Sequence, residues 1–295
     1  RFDSYVAHFL LSLLLWYTTC MLQEPTDLPT DKPYMPGTPG KDFRSTKREA
    51  LNVPASKLPL VEEPAHPNDF RQSFHWRVFR IIAELVDGWQ FLGDYKKMVT
   101  FFGSARFKED SPWYQEARKL GHGLAELGFD VVTGGGPGIM EAANQGAHEV
   151  HEHSGASMEN HNKKVGDSIG LNIKLPFEQR INPYVDKAVA FHYFFVRKVM
   201  LSYYAQAYIF FPGGFGTLDE VFEIITLIQT KKITSHSPVI LVGKAFWAPL
   251  LQWIEQGVYE QFSAIDQGDM KIYNLVDSAE EALEIIKKSP ERTEF

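Results

Sequence analysis

"AYIFFPGGFGTLDEVFEIITLIQ", Ala207 to Gln229, holds two patterns joined by a turn. An unbroken apolar, aromatic-rich run ends at Pro212, as expected of a strand covered on both faces. From Thr217 onward, apolar residues recur at helical spacing. Between the two patterns, Gly213, Gly214 and Gly216 clear the backbone of side chains. A bare loop opening a helix presents N–H groups and the positive end of the helix dipole, which together suit an anion. The acid that follows at once, Glu220, needs a different explanation.

The strand–loop–helix unit recurs along the chain. "KMVTFFGS" reads as a strand ending at Gly103, and "SPWYQEARKLGHGLAELG" as a helix with Ser111 to cap it, Pro112 in its first turn and Gly128 at its end. "FDVVTGGGPG" is a strand entering a second glycine loop, with the helix "IMEAANQGAHEV" after it. "SIGLNIKLP", "KAVAF", "PVILVG" and "KIYNLV" are further strands. "FFVRKVMLSYYAQ", "AFWAPLLQWIEQGV" and "SAEEALEIIKK" are further helices. Upstream, Phe74, Val78, Ile81, Ile82 and Leu85 form the stripe of an amphipathic helix. Alternation of this kind predicts an α/β, Rossmann-like, doubly wound and mostly parallel sheet with helices on both faces.

The chain has 295 residues, 44% of them apolar, enough for a sizeable core. Residues 68–295 read as one Rossmann-like domain. Residues 1–67 divide into the apolar "YVAHFLLSLLLWYTTCML" and a Pro-, Lys- and acid-rich arm of linker composition. The apolar stretch is short for a span and carries His8, Ser12, Thr18 and Thr19, so a membrane is not the expected partner. A net charge of -7 argues against nucleic acid. Cys20 is the single cysteine, which excludes an internal disulfide and a cysteine zinc site and fits a reducing, cytoplasmic setting.

In parallel sheets, ligands bind beyond the carboxyl ends of the strands. Three loops fall there: Gly103-Ser104, Gly134 to Gly138, and Pro212 to Thr217. "TGGGPGIM" has Ile139 where a dinucleotide fingerprint wants its third glycine, and neither glycine loop carries the Gly-Lys-Ser/Thr of a P-loop. The loops are therefore read as a cradle for one phosphate or carboxylate. Gly103, Ser104, Gly135, Gly136, Gly138, Gly213, Gly214, Gly216 and Thr217 are its candidate residues. Glu141 and Asn144, in the first turns after the second glycine loop, either contact base or ribose or solvate the helix start.

"PGGFGTLDE" resembles the P-G-G-x-G-T-x-x-E motif of the LONELY GUY family, whose members are often mislabelled lysine decarboxylases. "FFGSAR", "GGGPGIMEAANQGA", "LPFEQRINPYVD" and "FFVRKVML" resemble its longer, bacterial-type members, from about Met98 to Lys288. The resemblance implies hydrolysis of the N-glycosidic bond of a nucleoside 5′-monophosphate, AMP or a cytokinin riboside monophosphate, to free base and ribose 5-phosphate. It implies a catalytic pair, Arg197 and Glu220, and a homo-oligomer. It also explains the acid: cleavage builds positive charge on the sugar, and a carboxylate beside that charge stabilises it or handles the water. The expected chemistry needs no metal and no organic cofactor, and no lysine lies in the glycine loops to bind pyridoxal.

Other readings of these residues stand beside this one. Thr217 to Glu220 also fits a capping box, with Thr217 as N-cap. Arg197 shares a helix face with the apolar Phe194, Met200 and Leu201, where a charge is expected to be paired or functional. The tract "HEVHEHSGASMENHNKK", with His148, His151, His153 and His161, reads as a surface insertion and not a metal site. The same fold and loops would also serve a non-catalytic carrier of molybdenum cofactor, or a module that binds AMP without turnover.

Overall fold

The computed structural model describes residues 74–156, 165–173, 181–234 and 236–290. These all belong to the unit Ala50–Phe295; the unit Arg1–Glu49 lies outside the described residues, as do the apolar segment and the arm expected over 1–67. Helix α1 (Phe74–Leu92) leads into β1 (Met98–Phe102), α2 (Pro112–Glu126), β2 (Asp130–Thr133), α3 (Ile139–Ala156) and β3 (Ser168–Ile173). Then come β4 (Lys187–Phe191), α4 (Phe194–Tyr203), β5 (Ala205–Phe210), α5 (Phe215–Gln229) and β6 (Val239–Val242). The described chain closes with α6 (Lys244–Trp253), a π-helical stretch (Ile254–Gln261), β7 (Tyr273–Val276) and α7 (Ala279–Lys288).

The seven strands form one sheet in the order β4-β3-β2-β1-β5-β6-β7, every pair parallel. The chain winds outward from β1 through β4, then crosses back and winds the other way from β5. The order reverses between β1 and β5, the point at which doubly wound sheets open a crevice. Strands β1, β2, β3, β5 and β6 are buried throughout, as their continuous apolar runs predict.

Side chains alternate between two cores, since successive strand residues point to opposite faces. Val99 and Phe101 join the core built with Leu120 and Leu124 of α2, Ala143 and Ala147 of α3, and Ile286 of α7. Thr100, between them, donates from its hydroxyl to the Leu201 carbonyl of α4 at 3.0 Å, so α4 covers the other face. Helix α2 starts with Pro112 behind Ser111, and Gly128 follows its end at a positive φ of 81°. On α1 the buried face is Ile81, Leu85 and Leu92, while Ile82 turns outward with Phe79 and Val86, narrowing the expected stripe. Among the described residues no helix is long and apolar enough to cross a membrane.

Candidate active site

A cavity of about 740 Å³ opens at the β1/β5 reversal. Gly103, Ser104, Ala105 and Arg106 line it from the end of β1, and Gly214, Phe215, Gly216, Thr217 and Glu220 from the start of α5. Phe194, Arg197 and Leu201 of α4, Gly134 after β2, Met140 of α3 and Ile173 at the end of β3 complete the walls with Phe101 and Phe102. The volume suits a small organic ligand, and the lining is mostly apolar with a few convergent polar groups.

The loops are tied together through their main chains. The Ser104 N–H donates to the Pro212 carbonyl at 3.0 Å, and the Ile139 N–H to the Ser104 carbonyl at 3.1 Å. Gly138, at a φ of +73°, passes so close to Ser104 and Ala105 that a Cβ would overlap their backbone. A Cβ on Gly213 would likewise overlap the Thr217 side chain. Gly214 and Gly216 differ, since a Cβ at either would meet no protein atom within 4 Å. Packing does not require glycine at these two positions, and both face the cavity. They leave main-chain N–H groups at the start of α5 open to whatever enters.

Arg197 and Glu220 sit behind this opening. Gly134 makes room for the arginine, because a Cβ there would lie 3.3 Å from Arg197 Nη1. The guanidinium carbon lies 5.2 Å from the centre of the Phe194 ring, within range of a cation–π contact. Arg197 Nε is buried without a hydrogen-bond partner, and so is Glu220 Oε2. Burial lowers the pKa of Arg197 against the support of Glu220, although a guanidinium stays protonated.

Glu220 is only 5% exposed. Burial pushes its carboxyl up to about 8, partly countered by Lys198, with Glu223 and Asp219 adding to the rise and Arg197 opposing it. Lys198 pairs with Asp219 at 2.6 Å and Glu223 at 2.7 Å, one residue before and three after Glu220. Burial alone would lower the Lys198 pKa, but Glu220, Asp219 and Glu223 outweigh it and raise it. Lys198 is thus engaged by two acids, and burial holds the Glu220 carboxyl well above the usual carboxylate range.

Several expectations are corrected here. Thr217 is not an N-cap: α5 begins at Phe215, Gly214 holds the cap position, and no side chain caps it. Thr217 instead lies inside the first turn against Gly213, so no capping box forms with Glu220. Asn144 does not reach the cavity. It is fully buried, accepting from Thr133 Oγ1 at 2.6 Å and from Asn182 Nδ2 at 3.0 Å and donating to Ser168 Oγ at 2.9 Å. Gly135, Gly136 and Gly138 also lie outside the lining: Asn182 binds the Gly135 carbonyl through its N–H and the Gly136 carbonyl through its amide. Gly134 is the glycine of this loop that lines the cavity. Glu141 stands on the first turn of α3, half-buried and outside the lining.

The histidine tract is not an insertion up to Ala156, because α3 runs on to that residue. His148 Nδ1 lies 2.6 Å from Asp186 Oδ1, and His151 Nε2 lies 2.9 Å from the Gly166 carbonyl. His148 ties α3 to the approach to β4 at the sheet edge, and His151 ties it to the approach to β3. His161 lies outside the described residues.

The residues that sequence reasoning missed are Arg106 and the apolar walls. Arg106 stands in the stretch "FFGSAR" that also supplies Gly103 and Ser104, so its basic charge two residues past the loop was a usable signal. Met140, Ile173 and Phe194 carried none, since apolar residues at strand and helix ends look like core.

A family model described as possible lysine decarboxylase matches residues 140–286. The cytokinin riboside 5'-monophosphate phosphoribohydrolase LOG of Oryza sativa subsp. japonica is 31% identical over 202 residues, covering 67% of this chain and 74% of its own. A cytokinin riboside 5'-monophosphate phosphoribohydrolase of Arabidopsis thaliana is 28% identical over 201 residues, covering 67% of this chain and 83% of its own. Among solved structures, the molybdenum cofactor carrier protein of Chlamydomonas reinhardtii is 20% identical, with a TM-score of 0.46 over 65% of this chain and 97% of that one.

Proposed function

The chain belongs to the LONELY GUY family, and from that premise we propose that it hydrolyses purine nucleoside 5′-monophosphates, AMP or an N6-substituted relative, to free base and ribose 5-phosphate. Water forms a new bond to C1′ as the bond from C1′ to the base nitrogen breaks. The base leaves with the bonding electron pair and takes up a proton.

One observation carries the reading. Gly214 and Gly216 open the start of a helix to the cavity for no packing reason, and the buried Glu220 faces the same cavity one turn on. A phosphate on the open amides is favoured by the helix dipole. The sugar then lies toward Glu220, whose carboxylate opposes the positive charge that grows on it or takes the proton of the water. A carboxyl pushed up to about 8 by burial suits a group that must change protonation in each turnover. Arg197 is assigned to the substrate's phosphate or ribose. The apolar walls, Met140, Ile173 and Phe194 among them, are assigned to the base.

The decarboxylase description of the family model finds no support in the lining. No lysine is among the described residues that line the cavity, and pyridoxal chemistry needs one to hold the cofactor. A homo-oligomer belongs to the same reading. Phe79, Ile82 and Val86 form an exposed apolar stripe on α1, the kind of surface that a second copy covers.

The test is incubation of the purified chain with AMP and chromatography of the products. Adenine with ribose 5-phosphate is the expected result. Binding of AMP with neither product would replace the hydrolase by a carrier or a regulatory module.

A further inference from the structure

Helix α1 lies outside the residues that the family model matches, yet it grips α4, the helix that carries Arg197. The grip has three points. At the start of α4, the His192 N–H donates to Glu84 Oε1 and the Tyr193 N–H to Glu84 Oε2, each at 3.0 Å. In the middle, Gly88 lies under Met200: a Cβ there would come within 2.8 Å of the sulfur. At the end, the Trp89 and Tyr203 rings pack with centroids 6.2 Å apart. Glu84 and Gly88 stand one turn apart on one face of α1 with Trp89 next to Gly88, and their partners follow in the same order along α4.

The contact at Glu84 bears most directly on the site. Tyr193 is the N-cap residue of α4, with no side-chain cap of its own. Its N–H is held by Glu84, and its carbonyl accepts from the Arg197 N–H at 3.3 Å. One residue, Tyr193, therefore links the carboxylate to the turn on which Arg197 stands. A carboxylate that accepts from N–H groups at a helix start complements the helix dipole.

We infer that Glu84 is a positioning residue: through the first peptides of α4 it fixes the direction from which Arg197 enters the cavity. The inference rests on the hydrolase reading, because the direction of Arg197 matters to turnover only if the nucleotide reacts in this cavity. The Tyr193 side chain makes no cap hydrogen bond, and both carboxylate oxygens on these two amides come from Glu84.

The experiment is a double-mutant cycle in the full chain, with kcat/KM for AMP measured in wild type, Glu84→Gln, Arg197→Lys and the double variant. Glutamine keeps one acceptor oxygen and loses the other along with the charge. Glu84→Gln is expected to lower kcat/KM roughly tenfold in the wild-type background and less than twofold beside Arg197→Lys. Equal losses in the two backgrounds would mean general destabilisation and overturn the inference, as would no loss in either. Hydrogen exchange at the Tyr193 and Arg197 amides forms the second arm and does not depend on turnover. Exchange roughly tenfold or more faster in Glu84→Gln, confined to the start of α4, is expected; unchanged exchange overturns the clamp. A wild-type protein that releases no base sinks the hydrolase reading separately, and the exchange arm still decides whether Glu84 holds the helix.

Discussion

Arg197 and Glu220 line one cavity without forming an ion pair with each other, and each keeps a buried polar atom without a hydrogen-bond partner. Unpartnered buried groups of this kind cost stability, typically about 1–3 kcal/mol each. A bound ligand can supply the missing partners. The two residues are thus arranged around a gap and not around one another.

The first expectation concerns pH. Burial holds the Glu220 carboxyl up near 8, so the carboxylate form is gained as pH rises through that value. If the carboxylate performs the chemistry, kcat/KM for AMP climbs from pH 6 to a plateau above about 8. Glu220→Gln should remove this limb and lower turnover roughly 10² or more. A rate that falls with rising pH over the same range would show that Glu220 acts as the protonated acid.

Stability should move in the opposite sense. Between the ordinary 4.5 and about 8, the unfolded chain has released the Glu220 proton and the folded chain retains it. The folded state then binds more protons, so this group's contribution to stability is complete below 4.5 and is lost as pH rises through about 8. One pKa unit corresponds to about 1.4 kcal/mol, which makes the whole effect of the order of a few kcal/mol. Thermal melts of wild type and Glu220→Gln should therefore diverge with pH, the variant gaining on wild type between pH 5 and pH 9. Parallel melting curves across that range would mean that Glu220 is not buried as described.

Gly216→Ala should separate folding from binding. The added methyl meets no protein atom within 4 Å, and alanine is favoured over glycine inside a helix by up to about 1 kcal/mol. The melting temperature should hold or rise. The same methyl projects into the space proposed for the phosphate, so KM for AMP should rise roughly tenfold or more, a loss of about 1.4 kcal/mol in binding. A variant with unaltered KM would place the phosphate elsewhere.

A substrate comparison tests the cradle from the ligand's side. Adenosine lacks the group that the α5 amides are proposed to hold, and binding energy from that remote group is what sets the sugar against Glu220. AMP should exceed adenosine in kcat/KM by roughly 10² or more, with part of the difference in kcat. Similar values for the two would remove the phosphate from the mechanism.

The sheet was legible because most of its strands are apolar runs closed by glycine or proline, while the edge strands β4 and β7, followed by His192 and Asp277, stood out by their β-rich composition between helices. The loops were legible for the same reason. The start of α5 was not, because Thr217 has the right residue three positions before Glu220 but spends its side chain against Gly213, and Gly214 takes the extended cap conformation at φ -91° and ψ -158°. Asn144 could not be read either: its partners Thr133, Ser168 and Asn182 come from three other places in the chain. A polar residue early in a helix looks solvated until the fold closes over it.

The main-chain tie from Pro212 to Ser104 to Ile139 has a consequence for how such a chain can diverge. Amide and carbonyl groups are present whatever side chains accompany them, so replacements at Met140, Ile173 or Phe194 leave these two bonds in place. The rim that would grip a phosphate and the walls that would face a base are therefore inherited separately. Drift in the walls can retune which base is accepted while the rim persists, and a library confined to those wall positions should yield altered base preference without loss of the requirement for a 5′-phosphate.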